Sequence, residues 1–247
     1  EREPEMKHLS PVKALTFDLF GTILDLVGSL TPTIESVLKS HPVSTATFWE
    51  QWRARQRIEQ YQDTILSLGH SGYLTTVRRA LTYTLRRNDI QPIDDLIDDL
   101  MLAWQSLSPF PEVLPALKKL ADRYRLVVLS NGDPEFLDHL VQNRLMRQCT
   151  GTALSSDENL FDSIFSVETV GAFKPHTGVY LRAAASLGLE VNQCLMVSAN
   201  SFDVMGARVC GMRAIFVNRY QLPYEDSDYQ PNTTVSDFTQ LAEYLLP

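Results

Sequence analysis

Ala14-Leu15-Thr16-Phe17-Asp18-Leu19-Phe20-Gly21-Thr22 is the stretch that decides the fold. A short apolar run that stops at a carboxylate and a glycine reads as a strand buried on both faces, with the chain turning at its carboxyl end. Runs of the same kind recur at 126–129, 163–167, 195–197 and 214–217. From Leu126 onward they alternate with helical patterns at 134–145, 175–187 and 204–210, two of which open on proline while the second closes on Gly188. This alternation predicts an open, Rossmann-like, mostly parallel α/β sheet with helices on both faces.

Between the first run and the second lie roughly a hundred residues, too many for an ordinary crossover. Their patterns are helical at 34–39, 47–68, 74–87 and 93–107, with no good strand signal. An all-helical cap domain over 26–108 is expected, inserted after Asp25 and returning at the proline-bearing linker Ser108-Pro109-Phe110-Pro111. The catalytic core then comprises 1–25 and 109–247.

Composition narrows the function classes. The 247 residues carry 22 Lys plus Arg against 30 Asp plus Glu, a net charge of −8 that disfavours a phosphate-backbone footprint, so no nucleic-acid partner is expected. No apolar stretch approaches the roughly 18 residues that cross a bilayer, and residues 1–10 are charged where a secretory leader would be apolar. No membrane partner and a cytoplasmic location are the expectations. Cys149, Cys194 and Cys210 are too scattered for a disulfide framework or a zinc site. The acidic run Asp94-Asp95-Leu96-Ile97-Asp98-Asp99 has the spacing of a solvated helix face, and Gly69-His70-Ser71-Gly72 misses the spacing of a nucleophile elbow.

In open parallel sheets ligands bind beyond the carboxyl ends of the strands. There the sequence places Asp18 to Thr22, Ser130-Asn131-Gly132-Asp133, and Ser198-Ala199-Asn200-Ser201-Phe202-Asp203, with Lys174-Pro175 ahead of a helix. Carboxylates, an ammonium and several hydroxyl and amide groups converge on one crevice. Asp133, just before Pro134, reads as a helix N-cap.

This constellation resembles the haloacid dehalogenase superfamily: an aspartate nucleophile in D-x-x-G-T, a serine after the second strand, a lysine, and an acidic loop after the fourth. Phosphatases of that superfamily carry a second aspartate two residues beyond the nucleophile and write the last loop as G-D-S-x-x-D to hold magnesium. Phe20 and Ala199 stand at those places here. The L-2-haloacid dehalogenases lack that acid and that metal. The chain is similar to them at Asp18, Thr22, Ser130, Asn131, Lys174, Tyr180, Ser198, Asn200 and Asp203, and Trp52-Arg53-Ala54-Arg55-Gln56 looks like their cap motif W-R-x-K-Q.

The resemblance implies hydrolysis of L-2-haloalkanoates without metal or cofactor, in which Asp18 displaces halide from carbon and the resulting ester is cleaved by water. Arg53 is then the clamp for halide and substrate. A guanidinium about 4 Å from a departing anion is worth on the order of 4 kcal/mol at an effective dielectric near 20, before desolvation, or roughly three decades of rate. Lys174 supports the charge of Asp18, and Asp203 becomes the base or positioner for water, with Ser198 and Asn200 holding it and Lys174. Thr22 completes the catalytic set. Ser130 and backbone N–H groups of the loop at Leu19 and Phe20 take the substrate carboxylate, with Asn131, Tyr180 and Phe202 completing the substrate-binding set. A homodimer is what the resemblance suggests for assembly.

The dehalogenases usually have Tyr where Phe20 stands and Trp where Phe202 stands, and 147–161 is longer than their usual link before the third strand; it is read as a surface loop. A magnesium-dependent phosphatase acting on a small metabolite, and a catalytically silent binding member, are the alternative readings.

Overall fold

The computed structural model describes residues 11–146 and 159–246. Its centre is a parallel sheet of six strands. They are β1 (Ala14–Phe17), β4 (Arg125–Ser130), β5 (Ser163–Ser166), β6 (Cys194–Ser198), β7 (Arg213–Val217) and β8 (Thr233–Val235), in the order β5-β4-β1-β6-β7-β8. β1 pairs with β4 on one side, Phe17 opposite Val128, and with β6 on the other, Phe17 opposite Val197. The strand order reverses at β1, and such reversals open a crevice at the carboxyl edge of a sheet.

Side chains that alternate along each strand serve two separate cores. Leu15, Phe17, Val128 and Val197 fall in one apolar cluster, and Ala14, Val127, Leu129 and Met196 in the other. Both faces are therefore covered, which is why the strands read as unbroken apolar runs. α5 (Val113–Ala121), α6 (Pro134–Leu140) and α9 (Phe238–Leu245) contribute to the first cluster. α7 (Thr177–Leu187) and α8 (Ser201–Val209) contribute to the second. α7 ends on Gly188 in the left-handed region (φ +66°), a conformation glycine adopts without steric penalty.

A two-residue ribbon, β2 (Leu24–Asp25) against β3 (Ser108–Pro109), ties together the points where the chain departs from and returns to the sheet. Between them every described element is helical: α1 (Leu26–Val37), α2 (Thr45–Ile65), α3 (Tyr73–Arg87), α4 (Asp94–Leu102) and a 3-10 turn at Ala103–Ser106. α2 starts where the hydroxyl of Ser44 accepts from the N–H of Thr47 at 3.1 Å, an ordinary N-cap. The first core runs on into these helices through Phe20, Tyr73 and Trp104.

Several expectations are adjusted. α1 begins at Leu26, eight residues before the first helical pattern, because Asp25 caps it by accepting from Gly28 N at 2.9 Å. Pro175 does not open α7: Lys174-Pro175 is a cis peptide, and His176 caps a helix that starts at Thr177. The pattern at 134–145 continues past α6 as a π-helical turn, Val141–Met146. β8 and α9 carry no signal that periodicity had picked out. Of the 147–161 segment expected as a surface loop, residues 147–158, with Cys149, lie outside the described residues, and Phe161 is buried edge-on against Phe17. The four aspartates of α4 are exposed, and Asp98 pairs with Arg78.

Candidate active site

Asp18 follows β1 at the reversal point and is buried. Its backbone N–H continues the sheet by donating to Val197 O at 3.1 Å, which fixes the direction of the side chain. The carboxylate meets three donors. Thr22 Oγ1 and Asn200 Nδ2 donate to Oδ2 at 2.8 and 2.7 Å, and Lys174 Nζ donates to Oδ1 at 3.4 Å. Thr22 can reach because Gly21 turns the chain with φ +84°. Its hydroxyl also accepts from Ala199 N at 2.8 Å, joining the loop after β1 to the loop after β6.

Lys174 is wholly inside the protein and sits between two carboxylates, its Nζ 2.8 Å from Asp203 Oδ2. A buried ammonium needs an opposite charge beside it, since alone it would be an uncompensated interior charge. The backbone N–H of Lys174 donates to Asn131 Oδ1 at 2.9 Å, so the side chain of Asn131 works as a brace for the lysine loop. Asp203, in the first turn of α8, takes its second hydrogen bond from Tyr180 OH at 2.7 Å. Tyr180 gets that close because Gly206 has no Cβ; one added there would lie 2.7 Å from the phenol oxygen.

Burial pushes the pKa of Asp203 upward, with Lys174 pulling against it and the charge of Asp18 adding to the rise. Burial also holds Tyr180 well above its usual value, so it stays a proton donor to Asp203.

Ser130 and Ser198 are buried, and each hydroxyl accepts from a backbone N–H two residues on: Gly132 at 3.2 Å and Asn200 at 3.1 Å. Both shape the loops at the strand ends. The side chain of Leu19 lies wholly in the apolar core, leaving only its backbone for a ligand. Phe20 is stacked on Tyr73 with ring centres 4.2 Å apart, and Phe202 packs edge-on against Tyr61.

Above this cluster a cavity of about 620 Å³ opens against α2. Phe20, Arg53 and Asn200, all expected at the site, line it; Trp49, Arg57 and Tyr220 do so too and had not been singled out. Arg53 Nη1 donates to Gln56 Oε1 at 2.6 Å and to Tyr73 OH at 3.3 Å, so the guanidinium is braced from its own helix and from α3. Arg57 Nη2 donates to Asn200 Oδ1 at 3.0 Å, which turns the amide so that its NH₂ group faces Asp18.

Asp133 departs from expectation. Its carboxylate makes no cap bond to α6; it accepts from Tyr73 N at 2.7 Å and Leu74 N at 3.0 Å, capping α3 from across the interface. Gly72, at the N-cap position of α3, has no side chain to satisfy those N–H groups, so the demand was stronger there. His70, also unanticipated, contacts Asn131 O at 2.9 Å through Nε2 and stacks on Phe173.

The chain belongs to the haloacid dehalogenase-like hydrolase family, whose model matches residues 12–211. It is 28% identical to the (S)-2-haloacid dehalogenase H-109 of Pseudomonas putida over 96% of this chain and 100% of that one. To the (S)-2-haloacid dehalogenase of Xanthobacter autotrophicus it is 30% identical, over 84% of this chain and 76% of the other. A crystal structure of an L-2-haloacid dehalogenase superposes with a TM-score of 0.86 at 26% identity, covering 96% and 100% of the two chains. Within the family the chain falls in the L-2-haloacid dehalogenase branch. The Xanthobacter enzyme has also been solved with chloropropionic acid covalently bound; that structure shares this fold with a TM-score of 0.77 at 24% identity, over 95% and 98% of the chains.

Proposed function

We propose that this protein hydrolyses L-2-haloalkanoates to D-2-hydroxyalkanoates and halide, without metal, through an ester on Asp18. The observation that carries this reading is the set of groups around Asp18: an ammonium, an amide NH₂ and a hydroxyl, all donors. In a magnesium-dependent relative, carboxylates would be needed where Phe20 and Ala199 stand. The space between Asp18 and Asp203 is occupied by the Nζ of Lys174, at 3.4 and 2.8 Å. Those residues do not fit a divalent cation.

In the first step an Asp18 oxygen attacks C2 of the substrate. The carbon–halogen bond breaks, halide leaves with the electron pair, and the centre inverts. Oδ1, with a single longer contact, is the freer nucleophile. Arg53 stabilises the departing halide and Ser130 with the Leu19 and Phe20 backbone receives the carboxylate. In the second step water adds to the carbonyl carbon of the Asp18 ester, Asp203 takes the proton, and the hydroxy acid departs with an oxygen that began in Asp18. Lys174 steadies both carboxylates, and Ser198, Asn200 and Thr22 hold the loops that frame them. The helices of 26–108 serve as a cap domain on the core formed by 1–25 and 109–247, and the enzyme works in the cytoplasm as a homodimer. The relatives' activity and the cap arginine in this cavity support the reading.

Halide release from L-2-chloropropionate in excess chelator tests it. Turnover is expected to persist in chelator and to vanish in Asp18→Ala. Turnover of a phosphate ester that appears only with added magnesium would overturn it.

A further inference from the structure

Trp49, Arg53 and Arg57 are spaced four residues apart on α2, so one helix stripe presents two guanidinium groups to one cavity. The dehalogenation reading uses one of them. Three other arginines of these helices have acidic partners, Arg55 with Glu59 at 2.6 Å, Arg79 with Asp63 at 3.1 Å, and Arg78 with Asp98, whereas Arg86 and Arg87 end α3 without one among the described residues. Among the described residues neither Arg53 nor Arg57 has a carboxylate within 4.0 Å. Arg57 is half-buried, its Nε is buried without a hydrogen-bond partner, and one face lies 5.3 Å from the ring centre of Phe202. Burial and the neighbouring charge of Arg53 push its pKa down, against an opposing pull from the more distant Asp18 carboxylate. Glu50, the acid that lines the same cavity, is solvent-exposed.

We propose that Arg57 binds a second anionic group of the substrate, so that the preferred substrate is an L-2-halo acid bearing a distal carboxylate. This rests on the dehalogenation reading and adds the substrate class. The fork of a guanidinium suits a carboxylate, and a bidentate pair in a partly dry site is a strong contact. The cavity, at about 620 Å³, has room for such an acid as well as for a 2-halopropionate.

The test compares L-2-chlorosuccinate with L-2-chlorobutanoate, matched in carbon chain, at constant ionic strength. Chloride release is measured for the parent protein, Arg57→Gln and Arg57→Lys. The parent is expected to favour the diacid by about tenfold or more in kcat/KM, the ratio to fall about tenfold in Arg57→Gln, and Arg57→Lys to recover part of it. A parent ratio of one or less overturns the proposal. So does an equal loss on both substrates in Arg57→Gln, which would make Arg57 a halide ligand or a support for Asn200. A second measurement needs no turnover: binding of D-2-hydroxysuccinate and D-2-hydroxybutanoate followed by tryptophan fluorescence, Trp49 being in the cavity wall. Tighter binding of the diacid that is lost in Arg57→Gln supports the anion site even if neither chloro acid is turned over, in which case the dehalogenation reading alone falls. Equal binding of the two acids overturns the site.

Discussion

Asp203 has both oxygens engaged, by Lys174 and by Tyr180, in a place water does not reach in bulk. As a base it must be ionised, so the ester-cleaving step fades as pH falls through its pKa. Burial raises that pKa, which moves the acid limb of the rate above the ordinary aspartate range. The Tyr180 hydrogen bond favours the ionised form and works against the rise. Tyr180→Phe is therefore expected to shift the acid limb of single-turnover ester hydrolysis to still higher pH, and to cost about 1–3 kcal/mol in urea unfolding by leaving a buried oxygen unpaired. An unmoved limb would mean that a group other than Asp203 sets it.

At the same scale, the sequence displays some site residues and hides others. Asp18, Asn200 and Asp203 are legible together because each follows an apolar strand closely and parallel strands deliver their ends to one edge, and Lys174 joins them from its place ahead of a helix. Arg57 is not, since an arginine on an arginine-rich helix reads as solvated; only its four-residue offset from Arg53 hinted at a shared stripe. Asp133 reads locally as the cap of α6 but caps α3, because its partners, Tyr73 and Leu74, are about sixty residues away and capping demand from another element leaves no local signal.

At the scale of elements, α3 is held to the loop after β4 by that borrowed cap. Asp133→Ala removes the acceptor for two N–H groups and is expected to lower stability by about 1–2 kcal/mol, read from the urea midpoint at unchanged m. A change within about 0.3 kcal/mol would show that water replaces the carboxylate. The same contact orients α3, whose Tyr73 braces Arg53 and stacks on Phe20. The sheet strands were legible as elements because both their faces are buried. β8 was not: its three residues alternate in exposure and borrow their order from pairing with β7. The helical pattern of α2 matches its observed span nearly to the ends, whereas that of α1 begins late because the helix start depends on an Asp25 cap beside a two-residue ribbon.

For the whole molecule, the helices between β2 and β3 and the six-stranded sheet meet around one cavity, and three of the contacts that cross between them reach the loops beside Asp18 and Lys174. Arg57 reaches Asn200 at 3.0 Å, Gln60 accepts from Asn131 at 3.3 Å, and Thr64 accepts from Phe173 N at 3.0 Å, one residue from Lys174. In the proposed reaction the charge on Asp18 is held by an ammonium, an amide and a hydroxyl, and it attacks carbon. A single turnover of L-2-chloropropionate in heavy-oxygen water tests that most directly. The label is expected in the carboxylate of Asp18, located by peptide mass, while the first hydroxy acid released carries none. Label in the first product and none in Asp18 would mean that water attacks the substrate itself, and the account of a covalent ester would be wrong.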